Sequence, residues 1–335
     1  MSDATIRDVA RAASVSVASA SRALNGHPSV SIALRERVAE AATRLRYVPH
    51  AGARSLSMAR AHAIGVVLPD LHGEFFSELL RGMDRGASAA GFQLLLSNMH
   101  ADPEQAARAL SSMRGRVDGL LVMAPHVDPA FLDASIPVRS PAVFLNTAGE
   151  GDRSTIGIDN DAGSRALVRH LVEQGRRRII HIAGPRGNVD AEERRSGFLA
   201  AVEAFGLASE ASVMEGDFGE ESGAGAVRAL LRGPGPPDAI YAANDAMAIG
   251  CLLALREAGV RPPGRVAVTG FDDIPAARYV SPALTTVRVD IAALGERAIT
   301  MLVRAMTGKA AAEHERITPE LVVRDSTLKQ EGDNI

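Results

Sequence analysis

Hydrophobic spacing divides the chain into two regimes. Over residues 5–46 apolar positions recur every three to four residues, the period of helices. Thr5 caps a first helix, with Asp8 three residues on as a loose capping box, and Val9, Ala10 and Ala13 form its thin apolar stripe. Ser14-Val15-Ser16 reads as a tight turn, and Ser16 as the N-cap of a short second helix, Val17 to Leu24. Ser31 caps a third helix running to Arg46, with Leu34, Val38, Ala41, Ala42 and Leu45 on one face to close a small core. Pro49 ends this unit. Ala51 to Ala59 carries Gly52 and serines with little apolar surface, so alone it is largely unfolded.

From Ala63 the pattern changes to short continuous apolar runs alternating with helical segments. Strands are predicted over 63–69, 92–98, 117–123 and 142–146, then in a second series over 155–159, 178–184, 239–244 and 266–272. Helices fit over 76–90, 103–114, 161–173, 191–205, 221–231 and 245–258, with a last one over 291–307. Apolar strands separated by helices are parallel and buried on both faces, so two series imply two doubly wound units. Ligands of such sheets bind beyond the carboxyl ends of the strands, and two facing units place a cleft between them. Asp70, Asn146, Asp159, Asn244-Asp245 and Asp272-Asp273 stand at those ends. Each alone reads as a cap or turn residue; together they suit a ligand rich in hydroxyls.

Charge changes the picture for the first region. The whole chain carries a formal −3, which by itself argues against nucleic acid. Residues 1–60 nevertheless hold nine arginines against four carboxylates, a balance of +5 that leaves −8 on the remainder. A basic head on an acidic body suits a head that binds phosphates. Its second helix carries Ser19, Ser21 and Arg22 where a core helix would carry bulk. Small residues allow close approach, and Ser and Arg bond to phosphates and base edges. The reading is a helix-turn-helix with Val17–Leu24 entering the major groove; the plainer alternative is a helical hairpin at a chain terminus.

Composition narrows the rest. With 46% hydrophobic and 23% charged residues the chain is globular, and with 4% aromatics and no Trp its cores are aliphatic. One cysteine, Cys251, excludes an internal disulfide or a multi-thiolate metal site and reads as a buried small hydrophobe. His181, inside an apolar strand, reads as a core histidine with its hydrogen bonds met. No leader and no apolar run near the ~20 residues of a membrane helix is present, so the expected location is the cytoplasm, without membrane association. No metal-ligand spacing, nucleophile elbow or phosphate loop occurs, and the two lysines, Lys309 and Lys329, follow no such loop. The expectation is a non-enzyme without cofactor or metal.

The head segment TIRDVARAASVSVASASRALN, the third helix and YVPHAGARSL resemble the start of the lactose-repressor/galactose-repressor (LacI/GalR) family. GVVLPDLHGEFF, GIDNDAG, HIAGP, AEERRSGF, EGDF, AANDAMAIG, VTGFDDIP and LTTVR extend the resemblance over nearly the entire chain. Ser14 replaces the usual turn Gly, Ser19-Ala20 the usual Thr-Val, and Gly73-Glu74 the usual Asn-Pro before paired phenylalanines. The first departure strains a left-handed turn residue and the second thins the packing under the recognition helix.

The resemblance implies a helix-turn-helix head over 1–49, a hinge over 50–60 and a periplasmic-binding-protein-like body over 61–335. Within that body it implies one subdomain of about 61–160 plus 291–318 and a second of about 161–290 plus 319–330, joined by three crossings. It implies operator contacts from Thr5, Ser16, Val17, Ala18, Ser21, Arg22, Asn25 and Ser31, with Leu56 inserted into the minor groove and Ala53 beside it. An effector would meet Asp70, Phe75, Phe76, Asn146, Arg194, Phe218, Asn244 and Asp272. Arg194 alternatively is a solvated partner of Glu192 or Glu193. The implied protein is a homodimeric repressor reading a near-palindromic operator, under the control of a small sugar-like effector; sugar, sugar phosphate and purine all stay open. The rivals are a transporter's solute-binding protein, which the basic head and absent leader disfavour, and a sugar-processing enzyme, which lacks catalytic residues.

Overall fold

The computed structural model describes residues 4–27, 29–47, 60–100, 102–147, 152–233, 236–308 and 311–328. The chain separates into two compact units, Met1–His62 and Ala63–Ile335. The first is three helices, α1 (Ile6–Ala12), α2 (Val17–Leu24) and α3 (Ile32–Arg44). Asp8 fixes the start of α1 by accepting from the Thr5 amide (3.0 Å) and hydroxyl (2.7 Å). Ser16 and Ser31 cap α2 and α3 by accepting from the Ser19 and Leu34 amides. Ser14 has φ +53°, the left-handed conformation its turn demands, so the expected strain is present. Val9, Ala10, Ala13, Ala20, Ala23, Val38 and Ala41 form the fully buried core. Five of these are alanines, so the three helices approach closely and the head stands on little apolar volume.

In the second unit β1 (Ala63–Leu68), β2 (Gln93–Asn98), β3 (Gly119–Met123), β4 (Ala142–Leu145), β5 (Ser154–Ile158) and β11 (His314–Ile317) form one parallel sheet in the order β11-β5-β4-β3-β1-β2. A second parallel sheet, β7-β6-β8-β9, comprises β6 (Ile179–Ile182), β7 (Ser212–Met214), β8 (Ala239–Ala242) and β9 (Ala267–Thr269). The antiparallel pair β10 (Thr286–Arg288) and β12 (Glu320–Val322) lies beyond them. The segment over 155–159, grouped by sequence with the second series, is therefore a strand of the first sheet. It hydrogen-bonds β4 on one side and β11 on the other. Hydrophobic periodicity marks a strand but carries no information about which sheet receives it.

Around the first sheet lie α4 (Glu74–Ala89), α5 (Pro103–Met113) and α6 (Pro129–Ser135); around the second lie α7 (Asn160–Glu173), α8 (Val189–Ala204), α9 (Glu220–Arg232) and α10 (Asp245–Glu257). The chain then returns, and α11 (Ile291–Met306) packs on α4, β3 and β4 of the first lobe. The α4–α11 crossing is very close. A Cβ on Gly82 would lie 1.9 Å from the Ala292 carbonyl oxygen, and one on Gly295 2.4 Å from that of Leu79. Cys251 is fully buried in α10, its thiol directed at the Gly223 carbonyl at 3.4 Å, and burial pushes its pKa well up. No helix among the described residues is long and apolar enough to cross a membrane.

Candidate effector cleft and nucleic-acid interface

In the head, Val17, Ala18 and Arg22 are exposed on α2, and Ser21 is half-buried beside them. Val17 is 43% exposed, an unusual position for a β-branched residue in a small core-poor unit. The Arg22 Nε reaches back to the Ala18 carbonyl at 3.4 Å, which leaves its other donors at the helix surface. Ser16 and Ser19 share a hydroxyl contact of 2.9 Å, and the Asn25 amide approaches the Ser21 hydroxyl at 3.5 Å. Thr5 and Ser31 act as helix starters. Ala53 and Leu56 lie outside the described residues.

In the body, the topology chooses the site. The order β2-β1-β3-β4 reverses direction between β1 and β3, and β7-β6-β8-β9 reverses between β6 and β8. Crevices open beyond the carboxyl ends at such switch points. The cleft forms between the two: Pro69 follows β1, Met123 and Pro125 end and follow β3, Asn188 and Asp190 follow β6, and Asn244 follows β8. Phe75 and Phe76 from the start of α4, at 5.4 Å and nearly perpendicular, form one wall. Phe218 forms another, its ring pressed so close to Gly184 that a Cβ there would meet it at 2.4 Å.

Arg194 lies at the floor, 4% exposed, so it is not the solvated surface partner of Glu192 or Glu193. Its Nε donates to Asn160 Oδ1 (2.8 Å), Nη1 to the Ala243 carbonyl (2.6 Å) and Nη2 to Asp272 Oδ1 (3.2 Å). The guanidinium carbon also sits 3.8 Å from the Phe271 ring centroid, a cation–π contact shielded from water. Burial pushes the Asp272 carboxyl up to about 6, and the Arg194 charge pulls back against it. Burial likewise raises Asp190, with Arg194 opposing. Phe218 and Asp272 both hold positive φ, +70° and +111°, conformations that cost free energy and recur where a site is preorganised.

Six of the eight expected effector residues therefore converge: Phe75, Phe76, Arg194, Phe218, Asn244 and Asp272. Asn244 also caps α10 and donates to the Phe218 carbonyl (2.9 Å), so it holds the aromatic wall in place. Two stand apart. Asp70 is exposed, its carboxylate folded back on the amides of Leu71 (2.6 Å) and His72 (3.1 Å), as an Asx turn requires. Asn146 is buried in a left-handed turn (φ +47°) near Asp190 and is not among the residues that line the cleft. Sequence reasoning missed Asn188 and Asp190. Asn188 caps α8, and Asp190 lies one helical turn ahead of Arg194, a spacing that puts both on one face. His181 is only half satisfied: Nδ1 reaches the Tyr241 carbonyl at 3.0 Å, while Nε2 finds no hydrogen-bond partner among the described residues.

The cleft encloses about 100 Å³, room for one small ring compound such as a single sugar ring or base. A wider hollow of about 540 Å³ around Arg81, Arg278 and Tyr279 opens elsewhere, but its arginines are already paired, Arg81 with Glu78 and Arg278 and Arg288 with Asp273.

A basic helix-turn-helix head joined to a two-lobed parallel α/β body with an aromatic-walled cleft defines the class of ligand-binding DNA regulators. Comparison with known proteins gives the same class. Residues 5–50 match the model for bacterial regulatory proteins of the lacI family, and residues 168–327 that of a periplasmic binding protein-like domain. The ribose operon repressor of Escherichia coli (strain K12) is 35% identical over 329 residues, covering 96% of this chain and 99% of that protein. The HTH-type transcriptional repressor PurR of Haemophilus influenzae (strain PittEE) is 33% identical over 330 residues, 96% and 98% of the two chains. Among solved structures, the lac repressor dimer bound to operator and the anti-inducer ONPF superposes with a TM-score of 0.90 at 29% identity, covering 98% of this chain and all of that one. A LacI family regulator from Enterococcus faecium with bound ribose gives 0.73 at 25% identity over 80% of this chain and all of that one. The chain belongs to the LacI family of bacterial regulatory proteins. It is a DNA-binding transcriptional regulator rather than an enzyme.

Proposed function

We propose that the protein is a homodimeric repressor in the cytoplasm that releases or grips a near-palindromic operator according to a small ring compound in its cleft. The observation that carries this is the buried Arg194–Asp272 pair beneath three phenylalanines, in a body that follows a basic helix-turn-helix head. Paired donors and acceptors under aromatic walls fit a ring with polar edges and an apolar face. Relatives named for ribose regulation, and one solved with ribose bound, support a sugar as the first compound to test. The dimeric lac repressor supports two heads reading two half-sites.

In this reading residues 1–49 are the DNA-binding domain and 50–60 the hinge, with Leu56 as the minor-groove wedge and Ala53 beside it. Residues 61–335 bind effector and dimerise, as two subdomains of about 61–160 plus 291–318 and 161–290 plus 319–330. Val17 and Ala18 offer apolar contact to thymine methyls, and Ser21 and Arg22 bond to base edges or phosphates. Thr5, Ser16, Asn25 and Ser31 stand where phosphates pass. In the body, Asp70 and Asn146 support the effector site from its margin. Effector binding closes the lobes and so changes the spacing of the two heads, which is allosteric linkage between cleft and operator. The test is to select operator fragments with the full chain and compare Arg22→Ala. Specific affinity falls at least tenfold while weak binding to scrambled DNA persists. Unchanged discrimination by the variant rules out α2 as the reading helix.

A further inference from the structure

We infer that Asp190 sets the charge selectivity of the cleft, so that the effector is a neutral polyhydroxylated ring and anionic analogues, phosphate esters included, are rejected. The inference deepens the effector reading above and rests on it. Arg194 is the only cation among the described residues lining the cleft, and its charge is already met by Asp272 at 3.2 Å, both side chains being buried. Three of its five N–H donors are taken, by Asn160, Ala243 and Asp272, and two have no hydrogen bond among the described residues. Asp190 then adds a second carboxylate, 6% exposed, from the same face of α8. Asn160 fixes both groups at once: its Oδ1 accepts from Arg194, and its Nδ2 donates to Asp190 at 2.8 Å. Asp190 therefore cannot swing onto the guanidinium without breaking that bond.

One cation against two carboxylates is a site with an acceptor to spare. A ligand hydroxyl donates to Asp190 in a strong, charge-assisted bond and accepts from the free Arg194 donors. A phosphate or carboxylate in the same place meets an unpaired like charge in a dehydrated pocket, with no second cation to offset it. Rejection by a built-in unpaired charge is how sites of this kind discriminate. The enclosed volume of about 100 Å³ limits the accepted compound to a single ring.

The experiment measures binding to the full chain by calorimetry and thermal shift at pH 7.5. The panel is D-ribose, D-xylose, D-fructose, D-glucose and myo-inositol, against ribose 5-phosphate, glucose 6-phosphate and hypoxanthine. At least one neutral polyol binds, and its phosphate ester binds at least thirtyfold more weakly. In Asp190→Asn the polyol weakens about tenfold and the gap to the ester narrows; Asp190→Ser behaves alike. Circular dichroism melts check that both variants fold, and the parent-to-ester ratio on the unaltered chain decides if they do not. A phosphate ester binding within threefold of its parent, hypoxanthine as the sole ligand, or folded variants with unchanged selectivity would each overturn the assignment. If no compound of any class binds, the effector-cleft reading itself falls.

Discussion

The residue that most burdens the head is Ser14. A side chain at φ +53° costs on the order of 1 kcal/mol that glycine avoids, less glycine's extra backbone entropy. Ser14→Gly should therefore steady the head by roughly 0.5–1 kcal/mol, read as about threefold slower amide exchange of α1–α3 in the full chain; faster exchange would show that the turn is not strained. In the body, His181 lies fully buried between the rings of Phe198 and Tyr241, and burial lowers its pKa from 6.5 to about 3. The unfolded chain binds this proton below 6.5 and the folded one does not until about 3. Stability from this group is whole above 6.5 and declines as pH falls through that window, by about 2 kcal/mol at pH 5. Asp272, whose folded pKa lies near 6, acts in the opposite direction, so the comparison must be with a variant. In denaturant titrations from pH 7.5 to 5, His181→Gln should lose less stability than the parent; parallel curves would remove the histidine from the account. Arg194 was legible because its motif, AEERRSGF, is intact. Asp190 stood one residue upstream of that motif, and its meaning appears only once folding aligns it with Arg194 and Asn160.

At the scale of elements, glycines set how closely helices approach. Gly82→Ala places a methyl 1.9 Å from the Ala292 carbonyl at the α4–α11 crossing, where neither backbone yields cheaply. Overpacking of this kind costs about 3 kcal/mol, or roughly 5–10 °C in melting temperature. Gly225, in α9, has nothing within 4 Å of its would-be Cβ. Gly225→Ala should instead gain about 0.5–1 kcal/mol from helix propensity. Equal effects at the two positions would mean that the crossing is not tightly packed. The long helices and central strands were readable to within two residues because each buries a whole apolar face. The short edge strands β7 and β11 were not: they have only exposed and half-buried positions and depend on a neighbour for their hydrogen bonds. For the same reason the allegiance of β5 became visible only with its partners in place.

For the molecule as a whole, the proposed switching depends on how firmly the two lobes hold each other. Polar contacts bridge them around the cleft. The Ala276 amide donates to Glu74 Oε2 (2.8 Å), the Val189 amide to the Pro125 carbonyl (3.0 Å), and the Asn188 amide nitrogen meets His126 Nε2 (3.3 Å). Glu74 is one of the two residues that replace the Asn-Pro usual in the resembled family. Glu74→Ala should favour the open cleft and weaken effector binding three- to fivefold, the worth of one exposed charged hydrogen bond, while Glu74→Gln keeps most of it. Calorimetry that finds the two variants alike would show the contact to be idle. The sealed position of Cys251 has a practical corollary. The chain offers no reactive sulfur at its surface, so a single cysteine introduced at the rim of either lobe would be the sole target for a thiol-directed fluorophore. Lobe movement would then be readable by light in the intact protein, and the repressor becomes the raw material of a metabolite sensor.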